Sequence, residues 1–110
     1  MEKDIIILAC SAKHSGYCVA GIDLNTDNWI RLVASKNLNT NEIPKSFMLY
    51  SDSTKCEPLD VVTVDILEEL PGDIQPENAL INLNRKPVLK YRVTPNQLEK
   101  YISNDWYIYK

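Results

Sequence analysis

The chain alternates short apolar segments with polar links, and most of the apolar segments have the composition of β-strands. Residues 4–10 form a nearly continuous β-branched run, which is typical of a strand buried on both faces. Residues 59–67 and 88–93 give the other clear strand patterns. Weaker signals indicate a brief strand at 47–50 and another at 79–83, whereas loops are predicted at 34–46, 51–58 and 68–78.

Residues 17–33 predict a β-hairpin. Alternation over 17–23 indicates the second strand, and the turn formers of 25–28 separate it from a third strand at 29–33. Because side chains alternate along a strand, Trp29, Arg31 and Val33 share one face of the third strand. Ile30 and Leu32 share the other face. Arg31 is therefore expected to point away from the aliphatic pair.

A short helix is predicted near the end of the chain. Thr94 has the side chain of a helix cap, Pro95 suits the first turn, and Gln97 completes a capping box. Apolar residues at helical spacing then predict a helix over 95–103. The aromatic residues 106–109 have strand-like character, so we expect this segment to continue the fold in a partner chain, giving a homo-oligomer, or in a longer parent protein.

These elements describe a mainly β protein, a small OB-like barrel of about five to six strands with one short C-terminal helix. No strand–helix–strand alternation is visible, which argues against an α/β sheet. A chain of 110 residues has the usual size of one domain. We expect a single OB-like domain over 1–110, or one barrel together with the opening of a second.

Composition and charge narrow the possible functions. The longest apolar run, 5–10, is far shorter than the roughly 20 residues of a membrane helix, and it lacks the flanks of a signal peptide, so we expect a cytoplasmic protein that does not bind membranes. The net charge is −3, made up of 0 over 1–50, −7 over 51–80 and +4 over 81–110. An acidic total argues against broad adhesion to nucleic acid, but a local basic face can still be assembled from the two ends.

One cluster of residues, Cys10, His14 and Cys18, has side chains that could bind a metal or activate a thiol. Spacing of four residues brings ligands together on a helix, whereas Gly16 and the flanking patterns predict a strand–loop–strand. A structural zinc site also needs four ligands, usually with a close Cys pair that this chain lacks. We therefore expect buried structural cysteines with no disulfide, metal or cofactor. A Cys–His nucleophile, and with it a cysteine-dependent enzyme, remains the third hypothesis.

Basic and aromatic residues of the first strands form a candidate nucleic-acid site. Its four members are Lys13, Trp29, Arg31 and Lys36. They would converge near Tyr17 if the first three strands are neighbours, offering cations for phosphates and rings for bases. The alternative interpretation is a core tryptophan surrounded by ordinary solvated charges. Asp60 and Asp65 are expected on opposite faces of one strand, which argues against a paired-carboxylate site.

Three groups of residues carry a resemblance to a known family. They are 11–22 followed by Trp29-Ile30-Arg31-Leu32-Val33, then Pro58-Leu59-Asp60-Val61-Val62, and then Gln75-Pro76-Glu77-Asn78. Over about residues 5–81 they resemble the landmarks of the dual OB-containing domain, a bacterial family of uncharacterised substrate. That family favours Pro after the Trp-Ile-Arg triplet, where this chain has Leu32, a conservative change in packing. The resemblance implies two OB-like barrels and a role with nucleic acid, sometimes beside defence genes.

The residues and the resemblance together favour a module without catalytic activity that binds single-stranded or structured nucleic acid. A protein-interaction or scaffolding module is the alternative, supported by the acidic middle of the chain and its aromatic end.

Overall fold

The computed structural model describes residues 1–12, 16–36, 42–70 and 77–98. These residues form seven strands and one short helix. In chain order they are β1 (Glu2–Ala12), β2 (Gly16–Asp23), β3 (Asn28–Val33), β4 (Ile43–Pro44), β5 (Asp60–Leu70), β6 (Glu77–Ile81), β7 (Val88–Arg92) and α1 (Pro95–Leu98). Within these ranges, no helix is long and apolar enough to cross a membrane.

Five of the strands close into a barrel. β1 pairs with β2, β2 with β3, β3 with β6, β6 with β5, and β5 returns to β1. These pairings are antiparallel except that of β3 with β6, which is parallel. A closed five-stranded barrel with this long crossover is the OB-type architecture, so the predicted OB-like barrel is confirmed. The strands β4 and β7 lie outside this barrel. β4 pairs with the start of β2, and β7 pairs with the first half of β5.

Bulges allow the two longest strands to close the barrel. β1 and β5 contain eleven residues each. The register of β1 with β2 shifts between Ile7 and Ala9, and that of β5 with β6 shifts between Ile66 and Glu68. A bulge bends a strand and increases its twist. The bends let each long strand curve around the barrel while it pairs with other strands along both of its edges.

Gly21 lies where the backbones of β1 and β2 come too close for a side chain. A Cβ atom at this position would overlap the backbone carbonyl oxygen of Ile6 on β1. Only glycine avoids that overlap, because it has no Cβ atom. The close approach of β1 and β2 at this point therefore requires glycine at position 21.

Two apolar clusters lie on opposite sides of the barrel wall. The interior cluster includes Ile5, Ile7, Val19, Ile30, Leu32, Val62, Val64, Ile66, Ala79 and Ile81. The second cluster, on the outside of β1, β2 and β5, contains Ile6, Ile22, Val61 and Val93. The prediction that the first strand is buried on both faces is therefore confirmed.

Ionic groups are buried near the two ends of β5. At its C-terminal end, Lys3 Nζ lies 2.6 Å from Asp23 Oδ2 and 2.7 Å from Glu69 Oε1. At its N-terminal end, the Asp60 carboxylate accepts hydrogen bonds from the Tyr50 hydroxyl at 2.6 Å and from Arg92 Nε at 3.0 Å. Each buried carboxylate thus has a charged or hydroxyl partner, as burial requires.

Several local predictions need correction. Residues 47–50 form a turn with a single bridge between Leu49 and Lys55 rather than a strand. β5 extends to Leu70 into the predicted loop, and β4 lies in a predicted connection. The helix cap is confirmed, because Thr94 and Gln97 exchange backbone-to-side-chain hydrogen bonds of 2.9 and 3.3 Å. The remainder of the predicted helix, 99–103, and the aromatic segment 106–109 lie outside the described residues.

Candidate nucleic-acid interface

The outward side of β3 carries two of the four predicted site residues. Ile30 and Leu32 are buried in the barrel interior. Strand alternation therefore turns Trp29 and Arg31 outwards, as predicted. We use the name outer β3 face for the surface formed by Trp29, Arg31 and their outward neighbours on β2 and β6.

Arg31 occupies the centre of the outer β3 face. Ala20 on β2 and Asn78 on β6 are its paired neighbours on either side. Arg31 is partly buried, and it makes no ion pair or hydrogen bond with the residues that the structure describes. By contrast, Arg85 and Arg92 are each bound to carboxylates. The guanidinium group of Arg31 is therefore available to an external anion, beside a small side chain that leaves room for it.

Trp29 lies beside Arg31 and next to the outer apolar cluster. It pairs with Ile22, which is 2% exposed and belongs to that cluster. Trp29 itself is partly buried. Its indole nitrogen is buried, so the structural interpretation holds for part of this residue, and a limited exposed surface remains for the functional one.

Lys36 lies on the same side of the barrel but is already engaged. Its Nζ atom is 2.6 Å from Glu68 Oε2, and both side chains are about half exposed. Glu68 pairs with Leu80, and Leu80 pairs with Val33 at the end of β3. The ion pair therefore lies close to Arg31, which is two residues before Val33 on the same strand. An exposed ion pair of this kind contributes little stability, so Lys36 can exchange Glu68 for a phosphate at small cost.

Two of the residues considered in the sequence analysis do not join this face. Tyr17 has the opposite orientation from Trp29, because it packs against the interior cluster and Lys55 Nζ lies 4.8 Å from its ring centroid. The expectation that Tyr17 lies beside Trp29 is therefore wrong. Lys13 falls outside the described residues.

Three cations of the described part of the basic C-terminal third do not extend the outer β3 face. They pair with carboxylates of β1 and β5: Arg85 with Glu2 and Asp65, Lys90 with Asp4, and Arg92 with Asp60. These contacts lie on the β1–β5 side of the barrel, whereas Arg31 and Lys36 adjoin β6. The positive charges of these three residues are thus engaged with carboxylates of the first strand and of the acidic middle of the chain.

A cleft of about 470 Å³ opens between the loop before β5 and β7. Tyr50 and Pro87 contribute apolar walls, and Asp52, Lys86 and Arg92 contribute charged groups. Lys86 Nζ donates to two backbone carbonyls, at 2.7 and 3.3 Å, and Arg92 pairs with Asp60. The two cations around this cleft are therefore already engaged within the protein.

The cysteines are free thiols; Cys56 is buried as expected, whereas Cys10 and Cys18 are only partly buried. Cys10 packs against the interior cluster, whereas Cys18 is adjacent to a buried position and turns to the outside. Burial raises the pKa of the Cys10 thiol, and it raises that of Cys56 to about 11. His14 lies outside the described residues. Across the described ranges, no three His, Cys, Asp or Glu side chains group as a metal ion would require.

Asp60 and Asp65 have different partners and do not form one site. Asp60 binds Tyr50 and Arg92, while Asp65 accepts a hydrogen bond of 2.9 Å from Asn82 Nδ2. Asp65 is also held near Arg85. Their separate contacts match the prediction of opposite faces.

Sequence analysis did not identify Asn78 or Glu68 as members of the site. Asn78 joins Arg31 through the parallel pairing of β3 with β6, and Glu68 joins Lys36 through the pairing of β6 with β5. Both contacts link segments far apart in the chain, and no local pattern indicates them. Only the family landmark at 75–78 drew attention to this region.

The closed five-stranded barrel of the described residues places this protein in the class of OB-type barrel proteins, and its third strand carries an outward arginine and tryptophan. The chain belongs to the dual OB-containing domain family, because the model of that family matches residues 3–110. The match confirms the resemblance and extends it beyond residues 5–81. Comparisons with curated proteins and with solved structures give no match.

Proposed function

We propose that this protein is a binding module for single-stranded nucleic acid, or for unpaired segments of a structured one, and that the outer β3 face is the binding surface. The observation that carries the proposal is Arg31, a partly buried cation at the centre of this face that has no ion-pair partner among the described residues. OB barrels bind oligonucleotides on the face of their second and third strands, which is where Arg31 lies.

Each residue of the face has a physical role in this proposal. Arg31 donates from its planar fork to a phosphate or a base. The exposed part of Trp29 stacks on a base, an interaction that contributes about 1 to 3 kcal/mol per base. Lys36 supplies a second phosphate contact when it leaves Glu68. With one to two phosphate contacts, the logarithm of the affinity should fall with the logarithm of salt concentration with a slope of about −0.7 to −1.4.

Fluorescence anisotropy with labelled RNA and DNA strands of about 12 nucleotides, within the site size of one OB barrel, tests the proposal. We expect binding at low salt that weakens as salt is raised. Arg31→Ala should reduce affinity by about tenfold or more, as loss of a charge-assisted hydrogen bond does. Trp29→Phe keeps an aromatic ring and should reduce affinity less than Arg31→Ala.

Arg85→Ala is the matched control. It removes the same charge from the β1–β5 side of the barrel, where Arg85 is paired with Glu2 at 2.9 Å. This variant should bind as the wild type does. Arg31→Ala should also change the free energy of unfolding by no more than about 0.5 kcal/mol. Absence of binding in the high-micromolar range at low salt would overturn the proposal, as would equal losses for Arg31→Ala and Arg85→Ala.

A protein-interaction module is the second candidate, and the exposed apolar side chains of the described residues favour it. Leu67 and Val88 are each 61% exposed, and neither belongs to the two apolar clusters of the barrel. Light scattering after size exclusion tests for self-association, which the aromatic segment 106–109 leads us to expect. A monomer that binds oligonucleotides would support the first candidate, and a stable dimer that does not bind them would support the second.

A further inference from the structure

Asn78 is a polar residue of the outer β3 face with an unusual position. It sits on β6 directly opposite Arg31 of β3. Ala79, the next residue, is fully buried in the interior cluster, so Asn78 turns outwards beside Arg31. Neighbouring strands are about 4.8 Å apart, which places the amide and guanidinium groups within reach of one small ligand.

Neither side chain has a partner among the residues that the structure describes. Asn78 and Arg31 are partly buried, and neither makes a hydrogen bond or ion pair with a described residue. Asparagine is disfavoured in strands, so its place beside an arginine on a β-sheet face is a departure from local preference. Departures of this kind are concentrated at functional sites. The adjacent Arg31 and Asn78 therefore mark a place where a ligand can take up the hydrogen bonds that the described residues leave open.

The two side chains differ in what they offer. The guanidinium group presents only donors, and two of them can act as a parallel fork. The Asn78 amide presents an acceptor as well as a donor. A phosphate accepts hydrogen bonds but donates none at neutral pH, so it leaves the Asn78 carbonyl without a partner. A nucleobase edge, which carries both kinds of group, satisfies both residues.

We propose, building on the proposed function of this face, that Arg31 and Asn78 together recognise an unpaired guanine. The edge of guanine presents the acceptors N7 and O6 followed by the N1–H donor. Arg31 donates to N7 and O6, the arrangement most common in specific contacts with guanine. The Asn78 carbonyl oxygen accepts from N1–H, which is open to contact only when the base is unpaired.

Adenine, uracil and thymine do not fit this row of groups. Adenine has N7 as an acceptor, but its amino group is a donor where guanine has O6, and uracil or thymine has one acceptor before its ring N–H. Unpaired cytosine is the one other base with two acceptors followed by a donor, namely O2, N3 and its amino group. We assign guanine because the fork of an arginine binds N7 and O6 of guanine more often than any other base edge. RNA and DNA share this base, so the preference should appear with both.

Oligothymidine strands carrying one variable central base provide the test. With guanine at the centre, we expect affinity about tenfold higher than with adenine or thymine, and a cytosine centre that binds as tightly as guanine would overturn the assignment to guanine. Inosine keeps N7, O6 and N1–H and should bind as guanine does. 7-Deazaguanine lacks N7 and should lose several-fold in affinity. 2-Aminopurine lacks O6 and N1–H and should bind no better than adenine.

Variants of Asn78 separate base recognition from a general effect. Asn78→Ala should bind the guanine strand about tenfold more weakly and bind the adenine strand unchanged. Asn78→Asp keeps the acceptor, so it should retain the preference for guanine while binding all strands more weakly through repulsion of phosphates. Asn84→Ala, an exposed position in the turn after β6, is the matched control and should have no effect. Thermal melts should show that all three variants are folded.

The outcomes distinguish this inference from the proposed function beneath it. Equal binding of all central bases, with affinity still dependent on Arg31, would overturn guanine recognition and leave nucleic-acid binding intact. A guanine preference that persists in Asn78→Ala would remove Asn78 from the site. Failure of every strand to bind would overturn both proposals together.

Discussion

Replacing Asp23 by Asn should destabilise the protein, because it removes the principal counter-charge of a buried lysine. Lys3 and Asp23 are 8% and 3% exposed, and Lys3 Nζ lies 2.6 Å from Asp23 Oδ2. The second partner of Lys3 is Glu69, which is 2.7 Å away but about half exposed. Asn has nearly the shape of Asp, so this substitution changes the charge while changing the packing very little.

The magnitude follows from the burial of the two partners. Removing one member of a fully buried ion pair costs about 3 to 5 kcal/mol in the free energy of unfolding. Glu69 remains and is hydrated, so we expect a smaller loss of about 2 to 3 kcal/mol for Asp23→Asn. Glu69→Gln should cost less than about 1 kcal/mol, because an exposed partner contributes little.

The double variant Lys3→Met/Asp23→Asn tests whether the two residues act as a unit. Lys3→Met alone leaves the Asp23 carboxylate buried, with the Asn25 backbone N–H as a donor at 2.9 Å. The double variant buries no charge at this place, so it should be more stable than the sum of the two single losses predicts, by at least about 1 kcal/mol. Urea unfolding followed by circular dichroism gives each free energy.

The pKa of Lys3 determines the pH at which the unfolding experiments should be carried out. Hydrogen bonds to Asp23 and then to Glu69 raise that pKa above its ordinary value of 10.5. Because the folded state holds this proton more tightly, the stabilisation is complete at neutral pH and is lost only as the pH rises above about 10.5. The urea experiments therefore belong at pH 7.

Glu2→Gln is the control, since it breaks the Glu2–Arg85 pair, in which both side chains are 57% exposed. A loss for Asp23→Asn no larger than that of Glu2→Gln would refute the argument from burial. Strict additivity in the double variant would refute the coupling of Lys3 and Asp23.

Three further predictions follow from the structure. Glu68→Gln should free Lys36 and strengthen oligonucleotide binding at low salt by about two- to fivefold in anisotropy titrations, whereas Glu2→Gln should not; equal effects would contradict a local role for Glu68. Gly21→Ala should lower the free energy of unfolding by more than about 2 kcal/mol in urea titrations, because the new Cβ atom would overlap the Ile6 carbonyl oxygen. A loss below about 0.5 kcal/mol would show that β1 and β2 can move apart at this position. Burial raises the pKa of Cys56 from 9.0 to about 11, so the folded state keeps the thiol proton at pH values where the unfolded chain loses it. Between pH 9 and 11 the free energy of unfolding should therefore fall by up to about 1.4 kcal/mol per pH unit. Cys56→Ala should reduce this pH dependence, and an unchanged dependence would show that another group causes it.

The barrel could be predicted because most of its elements are encoded locally. The apolar run of the first strand, the turn formers after Asp23 and the capping box at Thr94 each depend on neighbouring residues. All three are present in the structure. The boundaries were less accurate, because β5 continues past Ile66 through a bulge that has no local signature.

The composition of the site could be predicted only in part, because it depends on register and on distant pairing. Alternation placed Trp29 and Arg31 on one face, and the structure agrees. The orientation of Tyr17 depends on which residues of β2 and β3 are opposite each other, and a shift of one residue reverses the face. Asn78 meets Arg31 through a parallel pairing across more than forty residues of chain, and no periodicity within either segment contains that information.

The distribution of charge through the fold explains how an acidic chain can still present a cationic face. The net charge of −7 over residues 51–80 and that of +4 over residues 81–110 partly offset each other, through pairs such as Arg92 with Asp60 and Arg85 with Asp65. Arg31 takes no part in this neutralisation, and Lys36 takes part only through an exposed carboxylate. Because Arg31 and Lys36 are the cations that the described residues place on or beside the outer β3 face, we expect non-specific electrostatic attraction at this face to supply only a small part of the proposed affinity for nucleic acid. Contacts to bases must then supply most of it, and this is why an unpartnered amide beside Arg31 is a more informative feature of the binding surface than the total charge of the protein.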